Sequence, residues 1–177
     1  MRQRVTAVDS PQWEIYPAPL KQTTRWKPRG LWYSWGTARG TAWTDWAKEN
    51  MDVTYQYLVP LRIRRGALVR DCKKRAPDSI LRIGTLAELD AFTREFSGGV
   101  GMTIEGKPHV LIDWAKVARR FAGIECKPYL TSARLTYVWY NMIDVESGCV
   151  WHAAAVGMRA LKPRPMPRNR RRTSRRG

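Results

Sequence analysis

Two stretches concentrate the side chains able to do chemistry. The first is Lys27-Pro28-Arg29-Gly30-Leu31-Trp32-Tyr33-Ser34, followed by Trp43 and Trp46; the second is Asp144-Val145-Glu146-Ser147-Gly148-Cys149-Val150-Trp151. Amphipathic rings such as Trp32, Tyr33 and Trp43 serve cores, base-stacking platforms and ligand pockets alike, so their types alone leave these uses open. His109 and His152 are the only histidines, which argues against a histidine-based metal site. Each reads as an ordinary surface or partly buried residue. Cys72, Cys126 and Cys149 form no CxxC pair, so neither a disulfide framework nor a zinc ribbon is indicated. Cys149 sits in a β-prone run and reads as an apolar filler. The P-loop, GxGxxG, HExxH and GxSxG signatures are absent, and no metal is expected.

The C-terminal residues carry a different chemistry. From 159 to 177 there are nine Lys or Arg and no acid, so +8 of the formal +17 stays with the preceding residues. Proline and arginine without apolar anchors cannot offset ordering entropy, so residues 162–177 are expected to be disordered. Their guanidinium groups at Arg164, Arg168, Arg170, Arg171, Arg172, Arg175 and Arg176 suit the phosphates of a nucleic acid, with counterion release and no sequence reading. A merely solubilising tail is the bland alternative.

These groups need a scaffold, and 177 residues with 44% hydrophobic content fit one domain, assigned to residues 1–161, plus the tail. No apolar run approaches the roughly 18 residues that span a bilayer, and the N-terminal residues lack a signal-peptide h-region, so a cytoplasmic protein without a membrane partner is expected. Strands are expected at 4–8, 30–35, 53–63, 79–83, 124–127, 135–140 and 149–155. Pro60 within the third favours a sheet edge or a bulge. Helices are expected at 41–51, at 86–96 behind the capping box Thr85-Leu86-Ala87-Glu88, and at 114–121 behind Asp113 as N-cap. Glycine-rich residues 98–108 read as a mobile loop. This irregular mixture implies an α+β fold with an antiparallel, split or sandwich-like sheet of about six strands and about three short helices.

Taken with Ile112-Asp113-Trp114, Gly123-Ile124 and Pro128-Tyr129, the two chemistry-bearing stretches resemble a little-characterised group of phage-encoded proteins that share KPxGLWxS, WxxW and SGCIW segments. The match covers about residues 5 to 160. The order of the pieces is also similar to that of ADP-ribosyltransferases. That resemblance implies NAD as cofactor, Ser34 in the place of the family's serine, Trp32 or Tyr33 stacking on the nicotinamide with Trp43 beside it, and Glu146 as the acid. A carboxylate suits such a reaction because it stabilises an oxocarbenium-like sugar as nicotinamide leaves. The implied function is transfer of ADP-ribose to a nucleic acid or a nucleic-acid-associated target. A non-enzymatic nucleic-acid-binding accessory protein, or a phage structural protein, is the alternative on the same scaffold.

Overall fold

A computed structural model describes residues 2–16, 18–37 and 40–167. Near the start, β1 (Gln3–Val8), the two-residue β2 (Thr24–Arg25), β3 (Leu31–Thr37) and β4 (Gly40–Thr41) lead into helix α1 (Ala42–Met51). Then come β5 (Tyr57–Arg62), β6 (Leu68–Val69), β7 (Ala76–Ile83) and α2 (Leu86–Phe96). A hairpin of β8 (Ser97–Ile104) and β9 (Lys107–Asp113) precedes α3 (Trp114–Ala118) and β10 (Phe121–Cys126). The chain continues through a 3-10 turn to α4 (Val138–Asn141), β11 (Ser147–Val150), β12 (Arg159–Ala160) and β13 (Arg164–Pro165).

Ten strands form one sheet along the path β12-β5-β1-β3-β11-β10-β7-β6, with β13 also on β5 and β4 on β3; β2, β9 and β8 form a second. The fold is α+β, as expected, but the sheet is larger than six strands. It is antiparallel except where β7 pairs with β10 and β6. Those parallel pairs need a crossover, and the one from β7 to β10 carries α2, the hairpin and α3.

Alternation divides the core between the sheet's two faces. Leu81, Ile83, Phe121 and Ile124 face one side, where α2, α3 and α4 bury Phe92, Phe96, Trp114, Trp139 and Tyr140 against them. The rings of Phe92, Trp114 and Trp139 lie 5.2–5.9 Å apart. Ile80, Ala122 and Val150 face the other side with Tyr33, Trp35, Val59 and Leu61. Strands β10 and β11, buried throughout, therefore have both faces covered. No helix among the described residues is long and apolar enough to cross a membrane.

Several local expectations are corrected. Residues 98–108 are a hairpin, because Val100, Met102 and Ile104 recur at period two and Glu105 and Gly106 take the positive φ angles of 48° and 75° that a tight hairpin turn requires. Residues 135–140 are not a strand. A strand would send Trp139 and Tyr140 to opposite faces, whereas the helical turn buries both in one core. There Trp139 Nε1 donates to Thr93 Oγ1 at 3.1 Å, and the Leu130 N–H donates to Tyr140 Oη at 2.7 Å. Helix α3 stops at Ala118, short of 121, although Asp113 does cap it, accepting from the Lys116 N–H at 2.8 Å.

The tail does not begin at 162. β12 pairs Arg159 with Arg62, β13 pairs Arg164 with Leu58, and the N–H groups of Leu161 and Met166 donate to the carbonyls of Pro60 and Gln56, each at 2.8 Å. The open backbone groups of β5 hold this segment where its side chains offer little to bury. β5 would otherwise be an uncovered edge.

Candidate functional site

The sequence segments singled out above become neighbouring strands. Ser34 lies opposite Ser147, Tyr33 opposite Gly148 and Trp32 opposite Cys149 in the β3–β11 ladder. On the far side of β11, Gly148 lies opposite Glu125 and Ser147 opposite Cys126. Because side chains alternate, Trp32, Ser34 and Ser147 face one side of the sheet, while Tyr33, Trp35 and Glu125 face the other.

The first face floors a cavity of about 350 Å³, near the lower end of small-molecule pockets. Trp32, Ser34 and Trp43 line it, together with Val5, Lys27, Tyr55 and Ser147; Tyr33 borders it too, but its ring points to the opposite face and is not placed to stack on a ligand there. Helix α1 builds one wall. Its N-cap Thr41 and Thr44 form a reciprocal capping box, and Gly36 lets the cap approach: a Cβ there would stand 2.3 Å from the Gly40 carbonyl oxygen. The cap sets Trp43 over β3, with its N–H 3.4 Å from Ser34 Oγ and its Nε1 donating to Tyr55 Oη at 3.0 Å. Trp46 stacks on Trp43 at 5.2 Å. The Lys27 ammonium lies 5.1 Å from the Trp32 ring centre and 3.4 Å from Asp144 Oδ2. Asp144, at a φ of 66°, thereby reaches the cavity lining through Lys27. Ser147 Oγ, in a residue 5% exposed, has no hydrogen-bond partner among the described residues.

Glu146 is not part of this lining. Its carboxylate stands 3.8 Å from Lys127 Nζ, which lies 4.0 Å from the Trp35 ring centre and so belongs with the opposite face. Burial pulls the Lys127 ammonium below the usual lysine range against the opposing charges of Glu146 and Glu125. The structure therefore separates Glu146 from Ser34.

That opposite face holds a polar cluster on which the sequence reading was silent. Glu125, fully buried, accepts from Arg4 Nε at 2.8 Å, Arg82 Nε at 2.7 Å and Tyr33 Oη at 2.8 Å, and is also bridged by Arg82 Nη2. Burial and then the Glu125 charge push the Tyr33 phenol far above its ordinary range. Burial opposes the charge on Arg4, but the bond and charge of Glu125 outweigh it and raise its pKa. Gly148 makes the cluster possible, since a Cβ there would fall 2.5 Å from Tyr33 Oη. The one signal in sequence was a lone carboxylate within the apolar run 121–126; its partners come from three other strands and leave no local spacing to read.

Cys149 is fully buried, and burial drives its thiol far up, which fits a filler. Arg164 is exposed on β13, whereas Arg168, Arg170, Arg171, Arg172, Arg175 and Arg176 lie outside the described residues. Among the described residues no cluster of three or more His, Cys, Asp or Glu could hold a metal ion. No protein family, curated protein or solved structure matches this chain.

Proposed function

We propose that the cavity binds NAD and that the chain is an ADP-ribosyltransferase-like protein acting on a nucleic acid or a nucleic-acid-associated target. The observation that carries this reading is convergence: Trp32 and Ser34 from β3 and Trp43 from α1 line one cavity. Aromatic walls suit a planar ring, and Lys27 offers a cation to a pyrophosphate. In the reaction the bond between nicotinamide nitrogen and ribose C1′ breaks, its electron pair leaves with nicotinamide, and an acceptor oxygen or nitrogen attacks C1′ and loses its proton to solvent. A carboxylate beside C1′ stabilises the developing cation. Glu146 points elsewhere, so the acid in this proposal is Asp144, which borders the lining through its pair with Lys27. The test is incubation of the protein with NAD and measurement of free nicotinamide. Release that is lost in Asp144→Asn and kept in Glu146→Gln supports the reading; absence of both NAD binding and release refutes it.

A second observation favours the accessory-protein reading. Arg62 and Arg159 lie directly opposite one another, and Arg164 stands further along the same edge, all exposed and without a carboxylate partner among the described residues. Like charges so placed repel unless an anion sits between them. Nucleic-acid binding that weakens steeply with salt and is reduced by Arg62→Ala with Arg159→Ala, in a protein that leaves NAD intact, would select this alternative.

A further inference from the structure

Ser147 is a residue of the cavity that packing does not explain. It sits in a four-residue strand whose every side is buried, and its hydroxyl meets no donor or acceptor among the described residues. A buried hydroxyl without a partner is uncommon and calls for a reason, because burial forfeits its bonds to water. Its neighbour supplies one. Ser34 stands directly across the ladder on the same face, 1% exposed, and its Oγ accepts the Trp43 N–H at 3.4 Å. That bond occupies a lone pair of Ser34 and leaves its O–H free to donate. The cavity floor thus presents two hydroxyls side by side, unbonded to each other, one biased towards donating and the other able to donate or accept. Around them stand the rings of Trp32, Trp43 and Tyr55.

We propose that Ser34 and Ser147 form a recognition pair for an amide-type edge, a C=O beside an N–H, carried by a planar ring held between the aromatic walls. The ring's carbonyl oxygen accepts from Ser34, and its N–H donates to Ser147 Oγ. Carboxamide-substituted pyridines and the lactam edges of uracil and guanine share this pattern, whereas the six-membered edge of adenine, with no carbonyl, does not. The assignment rests on the cavity being the ligand site, as in the function proposed above, and assigns Ser147 a specificity role within it.

The experiment titrates the full chain with nicotinamide, NAD, uridine, guanosine and adenosine, reading tryptophan fluorescence in the unmodified protein and in Ser147→Ala, with thermal melting of both. The expected result is binding of at least one amide-edged probe, weakened about 3- to 10-fold in Ser147→Ala as one hydrogen bond is lost, with adenosine weak in both proteins. Melting should be unchanged or slightly raised, since the variant removes an unpaired buried group; Ser34→Ala, which also forfeits the Trp43 bond, should melt lower. Equal affinities in the two proteins would overturn the assignment, as would a lower melting temperature for Ser147→Ala or failure of every probe to bind. Binding of uridine or guanosine with the expected loss, but none of nicotinamide or NAD, would uphold the pair while rejecting the NAD reading.

Discussion

Replacing Glu125 by Gln tests whether the buried cluster holds the central strands together. The substitution keeps the side chain's size, removes its charge and turns one acceptor oxygen into a donor facing the N–H groups of Arg4 and Arg82. Breaking a buried pair by removing one partner typically costs about 3–5 kcal/mol. Here the guanidiniums are 17% and 24% exposed, so they can regain part of their hydration and the cost should fall near the lower end, about 3 kcal/mol. The assay is urea unfolding at equilibrium, with Asp78→Asn as control. The Arg64–Asp78 pair has side chains 46% and 62% exposed, and its loss should cost less than about 1 kcal/mol. Tyr33→Phe alone should cost about 1 kcal/mol, and combining it with Glu125→Gln should cost less than the sum, because the phenol and the carboxylate share one bond. A loss below about 1 kcal/mol for Glu125→Gln, or full additivity with Tyr33→Phe, would refute the view that this carboxylate organises β1, β3, β7 and β10.

Gly148→Ala should destabilise by about 1–3 kcal/mol in the same assay, since its Cβ would overlap the Tyr33 ring and push the phenol away from Glu125. Trp46→Ala should cost only about 1–2 kcal/mol, because the ring is half-buried and its main partner is the stacked Trp43. Burial raises the Glu88 pKa, but the Gly84 and Thr85 N–H groups and Arg70 outweigh it and hold the carboxyl below its ordinary value. Its contribution to stability is therefore complete above that value and lost as pH falls through the lower folded pKa, so Glu88→Gln should flatten the acid limb of a stability–pH curve. Removing residues 168–177 should preserve the melting temperature and reduce the salt dependence of nucleic-acid binding. Removing 159–177 should uncover β5 and promote aggregation, seen by light scattering.

The elements legible in sequence were those fixed by local chemistry. The capping box at Thr85 is present as read, with the Thr85 hydroxyl accepting from the Glu88 N–H and the Glu88 carboxylate accepting from Thr85. The period of residues 41–51 and the aromatic run of β3 likewise gave their elements close to their observed bounds. What sequence could not show depends on partners far away in the chain. Trp139 and Tyr140 look β-prone, yet the position of Thr93 and Leu130 decides that they turn helically. Residues 159–166 look like a tail, yet the unpaired backbone of β5 claims them. The aromatic and serine lining was visible as motifs, whereas the face each residue would take was not, and that is what separates Glu146 from Ser34 and brings Ser147 beside it.

The closing of β5 also sets an order of events. Its inner side can pair with β1 as soon as both have been synthesised, but its outer side must wait for a segment almost a hundred residues downstream. Through that interval a row of bare backbone groups faces solvent, and the residues placed there, Pro60 and the charged Arg62, discourage another chain from occupying it. Arg159 and Arg164 arrive only with the strands that complete the ladder. The opposition of Arg159 to Arg62 is thus absent from a partly synthesised or partly folded chain, and a polyanion would meet the facing pair only once β12 has docked.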